Sequence, residues 1–386
     1  MPSFRPHYDV IVSGARCAGA ATALVLARAG ARVLLVDRQA RGSDTMSTHA
    51  LMRAAVLQLA RWSLLTPLQS KGTPPIGITT FHYGPESVPV AIKPEHGVHH
   101  LYAPRRTILD RILVDAAEVA SAEVHHGILL SHLQSDPSGR IVGASLRDGN
   151  GEEARVRADF VIGADGRDST VAKLVGAESY IVGRAASALV YGYFQGLPDQ
   201  GLHWYFAEKT AAGVIPTNHG QHCIFVGLPR EQFGPVFRGD IEGGFLGLLK
   251  RCDPQLSAAV EGATLSGRLR GFAGAHGYMR RPFGPGWALV GDAGYFKDPL
   301  TAHGITDALR DAELLARAIL EGGPRGMARY QQERDALSIP LFRLTEAIAS
   351  FRWTLDEVKI LHNQLSAAMR TETNHIAQPT VCGAAA

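Results

Sequence analysis

The sequence predicts an α/β protein: a parallel domain built from βαβ units, interrupted by an antiparallel-sheet insertion and followed by C-terminal helices. Three observations carry that prediction. An apolar run ending at glycine (YDVIVSG, Tyr8 to Gly14), a small-residue helical segment (AGAATALVLARAG, Ala18 to Gly30) and a second apolar run (ARVLLVD, Ala31 to Asp37) follow one another within about thirty residues, the layout of a βαβ unit. From about Tyr180 to Arg270, aromatic and β-branched residues alternate between turns (LVYGYFQG, LHWYFAE, GVIPTNHGQHCIFVG), as in an antiparallel sheet. WALVGDAG (Trp287 to Gly294) then restores a buried strand, and HGITDALRDAELLARAILEG gives a long helix.

The remaining elements follow in chain order. Gly30 suits a helix C-cap. A polar loop (Arg38 to Thr48) leads to a helix around Leu51 to Trp62, and KGTPPIG breaks the chain. Ile78 to Lys93 reads as two strands around GPES, and Arg106 to Ala120 as a helix. Strands are expected near Ile128, Ile141 and Val156, with turns at DPSG and DGNG, and a further strand in DFVIGADG (Asp159 to Gly166). EGGFLGLLKRC is a helix near the end of the antiparallel region, Gln331 to Arg370 is helical, and QPTVCGAAA frays. The expected division is 1–75, 101–180 and 271–330 for the parallel domain, 76–100 and 181–270 for the inserted sheet, and 331–386 for the C-terminal helices. The apolar face of the tail (Leu341, Leu344, Ile348, Phe351) packs either on its own domain or on a partner, so oligomeric state is not readable.

Composition narrows the function classes. The chain has 386 residues, 46% hydrophobic and 19% charged, with a net charge of +3, and no basic block argues for nucleic acid. Cys17, Cys223, Cys252 and Cys382 have neither metal-ligand nor C-x-x-C spacing, which suits free thiols in a reducing compartment and no metal centre. The N-terminus lacks an apolar signal core, and no stretch reaches the roughly 18 apolar residues of a membrane span. A cytoplasmic protein is expected.

Three motifs carry the chemistry. VSGARCAGA resembles the dinucleotide fingerprint G-x-G-x-x-G, with Arg16 where the middle glycine stands. Gly14 falls at the strand end, where a tight turn needs a permissive φ, and Gly19 where the helix must pack on the sheet. Asp37 ends the second strand, about 20 residues on, where an acid bonds a ribose. VIGADGRDSTVAKLVG carries Gly163, Asp165, Gly166 and Ser169. ALVGDAGYFKDPLTAHGITDAL carries Gly291, Asp292, Pro299, Gly304 and Ala308.

In this order, the three motifs resemble the class A FAD-dependent monooxygenases, the p-hydroxybenzoate-hydroxylase group. Geranylgeranyl-reductase-like flavoproteins and flavin halogenases share that fold. The resemblance spans roughly residues 7 to 330. It implies a Rossmann-like FAD-binding domain of the glutathione-reductase type with the inserted sheet over the substrate. It places the ADP end of FAD at Gly14, Ala15, Arg16, Ala18, Gly19, Asp37 and Arg38, and the phosphates within reach of Arg106. It assigns Asp292 to the ribityl and pyrophosphate side, and ties Asp165 to both FAD and NAD(P)H use. Thr48 and His49, in SDTMSTHA, are the candidates for touching the flavin ring. The helix beginning at Gly304 and Ile305 should aim its positive end at the ring's N1 and C2 carbonyl, with His303 beside it. A helix cap made by Ser47 or Thr48 is the plainer reading of that loop. Under the sheet fall Tyr191, Tyr193, Trp204, Tyr205, Pro216 and His219, a wall suited to an aromatic substrate; core packing is the alternative for each.

The sequence departs from the family pattern at Arg16 and at Ala302, which stands where PxxGxG has a glycine. The resemblance implies oxidation of an aromatic or unsaturated small molecule by NADH or NADPH and O2 through a flavin C4a-hydroperoxide. The outcome would be hydroxylation or ring oxidation of tropolone type, in specialised metabolism. An ene-reductase of geranylgeranyl-reductase type is the alternative. A halogenase is disfavoured by the lack of W-x-W-x-I-P. A flavin-binding protein without turnover is a third reading, suggested by Ala302.

Overall fold

The computed structural model describes residues 1–378; most of the stretch read as frayed, with Cys382, falls outside them. Strand β1 (His7–Ser13) lies at the centre of a parallel sheet. It pairs with β2 (Val33–Asp37) on one side and with Glu153–Gly163 on the other. Glu123–His126 extends the sheet beyond β2, and Trp287–Leu289 beyond Glu153–Gly163. Every residue of β2 is buried, because helices cover one face (Val33, Leu35) and the Ile128–Ser135/Ile141–Asp148 hairpin packs on the other (Leu34, Val36), so no solvent face remains to alternate with.

Helix α1 (Cys17–Arg28) returns from β1 and packs against the Gly304–Glu321 helix and the Arg106–Val119 helix. Close approach here rests on two glycines. A Cβ on Gly19 would stand 1.8 Å from the Gly14 carbonyl oxygen, and one on Gly14, at φ +106°, would stand 2.4 Å from that of Ala164.

The two strands expected near Val156 and at Asp159 are one continuous strand, Glu153–Gly163. Its first half pairs antiparallel with Ile141–Asp148 and alternates buried with exposed residues; its second half joins β1 in parallel and ends in three consecutive buried residues. One strand thus shows both sequence signatures, so it reads as two.

The second sheet runs Thr264–Leu265, Ser187–Gln195, Gln221–Pro229, Thr210–Thr217, Leu202–Ala207, Ile78–Tyr83 and Glu86–Ala91. The expected antiparallel pattern holds except between Leu202–Ala207 and Ile78–Tyr83, which are parallel. Those two strands are far apart in the chain, so no hairpin dictates their direction. A third sheet of short strands (Ser179–Val182, Tyr278–Arg280, Tyr295–Phe296) has no sequence signature of its own.

One face of the second sheet (Leu189, Tyr191, Tyr193, Trp204, Phe206, Ile215, Cys223, Phe225) packs with Leu341, Ile348 and Phe351 of the tail, with Leu344 against them. The tail's apolar face is therefore satisfied within the chain. The other face (Val190, Tyr205, Val214, Val226) is covered by the Ile241–Cys252 and Pro254–Glu261 helices. The tail is two helices, Gly323–Ala349 and Leu355–Ala377, separated where Phe351 takes φ +52° and restarted by a Thr354/Glu357 capping box. Among the described residues, no helix is long and apolar enough to cross a membrane.

Candidate cofactor and substrate site

At the start of α1, the first amides have no intrahelical partner, and Arg16 at the N-cap provides no side-chain cap. This is an anion site by construction. Arg16 sits at φ −95°, which any residue adopts, so its backbone does not need the missing glycine. Its guanidinium has one long contact, 3.5 Å to the Asp44 carbonyl, and lines a small cavity with Ala15, Asp37 and Ser43. Asp37 accepts from the Ala15 and Gln39 amides, each at 2.7 Å, so the acid orders the turn itself. Arg38 is exposed. Arg106 is held by Asp110 through bonds of 3.0–3.1 Å, and the Cys17 thiol donates to the same carboxylate at 3.1 Å. Burial pushes the Cys17 thiol well up, which removes it as a nucleophile at neutral pH.

The two candidate acids behave differently. Asp165 is fully engaged: it accepts from the Ser169 hydroxyl at 2.5 Å and the Thr170 amide at 2.7 Å, anchoring the start of the Thr170–Leu174 helix. Asp292 is not engaged; only its main-chain carbonyl is bonded, by the Tyr278 hydroxyl at 2.6 Å. Burial raises the Asp292 carboxyl pKa despite the nearby charges of Arg167, Arg106 and Lys297. Beside it, Gly291 takes φ +60°, and a Cβ there would stand 2.7 Å from the Ala18 Cβ. A half-buried carboxylate without a side-chain hydrogen bond, next to bare helix amides, fits a ligand carrying both hydroxyls and phosphates.

Further along the motif that carries Asp292, Ala302 takes the left-handed conformation (φ +49°, ψ 35°) that a glycine would supply. Gly304 follows, exposed, with nothing within 4 Å of an added Cβ. Ile305 is buried in the helix's first turn. The Met52 amide reaches the Thr306 hydroxyl at 3.3 Å and ties the 43–52 loop to this helix. Neither Ser47 nor Thr48 caps the next helix; Met52 holds the N-cap position of Arg53–Arg61, and the Ser47 hydroxyl accepts from the His49 amide at 3.0 Å. Thr48 is half-buried in that loop.

His49 is 1% exposed, with Nδ1 3.2 Å from the Ala103 carbonyl and Nε2 3.1 Å from the Tyr193 hydroxyl. Burial, then the Arg105 charge, pushes its pKa down to about 3, so it is neutral with Nδ1–H donating to Ala103.

His303 does not cap its helix. Its Nε2 lies 2.7 Å from Glu372, and its Nδ1 is buried with no partner. Glu372 also takes Arg310 at 2.5 Å, and Lys297 pairs with Asp307. Attraction to His303 and Arg310 outweighs burial and brings the Glu372 carboxyl down to about 2, while burial brings the Lys297 amine down to about 7. His303, Asp307 and Glu372 stand close enough to ligate a cation. Arg310 donates to both Asp307 and Glu372, and Lys297 pairs with Asp307, so protein cations already contact both carboxylates. Sequence reading missed Glu372 because its contact crosses the fold from the last helix; the only hint was an acid on a helix that also buries Val358, Leu365 and Ile376.

Tyr191, Tyr193 and Trp204 share one buried face with Ala50, Ala103, Leu300 and Ala302, which brings the expected wall against both loops. Pro216 does not join it: Ile215 occupies that face, and alternation turns Pro216 to the other. Tyr205 likewise packs on the other face. His219 sits in an exposed turn at φ +64°, which corrects its placement in the wall. Two residues were missed. The Arg105 guanidinium lies 3.5 Å from the Tyr193 ring centre, and Arg105 and Arg270 approach Asp44 at 3.5 and 3.0 Å, clamping the loop to the sheet.

A family model described as "FAD binding domain" matches residues 7–234. The chain belongs to the FAD-binding domain family. It is similar to the digeranylgeranylglycerophospholipid reductase of Methanothrix thermoacetophila, 26% identical over 338 residues covering 84% of this chain and 82% of that protein. Among solved structures it is similar to flavin-dependent brominase Bmp2, with a TM-score of 0.80 at 16% identity, covering 96% of this chain and 93% of that one. It is also similar to PqsL, a probable FAD-dependent monooxygenase from Pseudomonas aeruginosa, with a TM-score of 0.73 at 21% identity, covering 94% of this chain and 100% of that one. This FAD-binding protein is thus an oxidoreductase-family flavoprotein, with the fold shared by monooxygenases and halogenases.

Proposed function

We propose that the chain is a FAD-dependent monooxygenase that takes electrons from NADH or NADPH and oxidises an aromatic or unsaturated small molecule with O2. The observation that carries this reading is the burial of the wall packed against the Ala302–Gly304 turn. His49, Tyr191, Tyr193, Leu300 and Ala302 are all 8% exposed or less. Flavin oxygen chemistry needs water excluded, and these buried side chains would supply that shielding.

Bound FAD supplies electron transfer to dioxygen; the protein binds, orients and shields. The bare amides of α1 take the pyrophosphate, and Arg16 flanks it. Asp292 accepts from the ribityl hydroxyls. The N-terminus of the Gly304–Glu321 helix favours negative charge on the ring by about 0.3–1 kcal/mol, and more when buried. His49 is a neutral acceptor that fixes the Tyr193 hydroxyl as a donor, so neither group supplies a proton at neutral pH. Tyr191, whose hydroxyl has no partner in good geometry, is the wall's free polar group for orienting a substrate.

The test is turnover under isotopically labelled dioxygen with a panel of phenols and aromatic acids. Incorporation of one labelled oxygen atom supports the proposal. A product heavier by two hydrogens, formed without oxygen, supports the second reading, an ene-reductase, which the reductase named above favours. The third reading, binding without turnover, loses its ground at Ala302, because that residue reaches the glycine-like conformation.

A further inference from the structure

Apart from the small cavity at Arg16, the molecule carries a larger one of about 560 Å³ at the end of the second sheet where Ala186 and Pro229 lie. Its charged lining is Arg184, Arg230, Glu231, His276, Glu346 and Arg352. The three arginines come from the segment entering Ser187–Gln195, the residue after Gln221–Pro229, and the break between the two tail helices. They are exposed, and none has a carboxylate partner among the described residues. Glu346 does not neutralise them, because it accepts the Arg184 and Ala185 backbone amides at 2.7 and 3.1 Å. Glu231 is the one other acid in the lining.

Three arginines from separate elements line one concavity without a carboxylate partner, which makes it locally positive and leaves their guanidinium groups free to take an anion. Their forked donors match phosphate oxygens in pairs. The volume is that of a small-molecule site. One hydrogen-bonded link runs from the cavity to the turn that carries Ala302. Ala186 lines the cavity, and Ser187 next in sequence gives both its amide and its hydroxyl to Asp298 at 2.6 Å, at the start of that turn.

We propose that this cavity binds a phosphate-bearing small molecule, its phosphate or diphosphate held by Arg184, Arg230 and Arg352. The phosphate belongs either to the nicotinamide reductant or to a phosphorylated substrate. The site does not depend on the oxidation chemistry proposed above.

The probe is inorganic pyrophosphate, titrated by calorimetry into protein saturated with FAD so that the α1 amides are filled. Binding should weaken as salt rises, and should fall roughly tenfold for each arginine removed in Arg230→Ala, Arg352→Ala and the double variant. Arg325→Ala, elsewhere on the protein, should leave it unchanged. Glu231→Gln should tighten it, an opposite-sign result that a folding defect does not mimic. Stopped-flow reduction of the flavin then separates the sources. A raised half-saturating NADPH concentration in the double variant assigns the phosphate to the reductant; unchanged reduction beside lost pyrophosphate binding assigns it to the substrate. Absence of pyrophosphate binding to the wild type, or equal binding by the double variant, overturns the proposal. Neither result bears on flavin oxidation chemistry, which the labelled-dioxygen experiment tests separately.

Discussion

Asp292→Asn separates a residue kept for a ligand from one kept for the fold. The Asp292 carboxyl makes no side-chain hydrogen bond, and burial raises its pKa in the folded protein. The sign follows from linkage. A folded pKa above the unfolded value gives a contribution to stability that is present below the unfolded pKa, about 3.9, and lost as pH rises through the folded one. At neutral pH the ionised group therefore weakens the flavin-free protein, and asparagine removes that penalty. In the complex the same carboxylate makes charge-assisted hydrogen bonds, each contributing about 1.5–3 kcal/mol. Losing one such bond weakens FAD binding by roughly 10- to 150-fold. The assay is thermal unfolding with and without FAD, together with titration of FAD into apoprotein. The variant's apo Tm should equal or exceed the wild type's, while the rise in Tm on adding FAD shrinks. A lower apo Tm with unchanged FAD affinity would refute the reasoning and make Asp292 a structural anchor.

Ala302→Gly should stabilise the protein by about 1 kcal/mol, since left-handed geometry costs a non-glycine residue about that much; Tm should rise by roughly 1 °C, and a fall would mean that the Ala302 methyl packs more than it strains. Glu372→Gln should destabilise by about 3–5 kcal/mol, as the loss of one partner from a buried ionic cluster does. With its pKa lowered to about 2, Glu372 contributes stability above the unfolded value of about 4.5 that is lost as pH falls towards 2, so denaturation curves of wild type and variant should converge over that acid range. The His49 ring should show no NMR titration between about pH 5 and 8, because its pKa is about 3; a midpoint near 6.5 would show an open, hydrated site. Arg16→Gly should weaken FAD binding by about tenfold through loss of a flanking charge, and unchanged affinity would make Arg16 a bystander.

The sequence made the parallel core plain because apolar runs between glycines have few other uses. Tyr8–Gly14, Ala18–Gly30 and Ala31–Asp37 each became the element expected, and Gly14 and Gly19 sit where a side chain would strike backbone. Asp292 and the Ala302–Gly304 turn were singled out through the motif's resemblance to the family pattern. Local pattern could not separate which acid is free and which is spent: Asp165 and Asp292 both follow buried strands, yet Asp165 closes a helix. Pro216 was misplaced because register decides which face a strand residue serves, and a one-residue shift inverts it, and His219 because the strand ends at Thr217 and gives way to an exposed turn. Arg105, Arg270 and Glu372 escaped because their partners lie far off in the chain. Nothing near Glu372 in sequence announces His303.

The central claim is that one FAD molecule reaches from α1 to the Gly304–Glu321 helix, and a crystal structure of the protein with FAD tests it most directly. The account predicts the pyrophosphate over the amides of Cys17 to Gly19, the ribityl chain bonded to Asp292, and the ring edge at Gly304 and Ile305 with Tyr191 and Tyr193 beyond it. A flavin whose ring lies away from the Ala302–Gly304 turn, or a ribityl chain that leaves Asp292 unbonded, would contradict it.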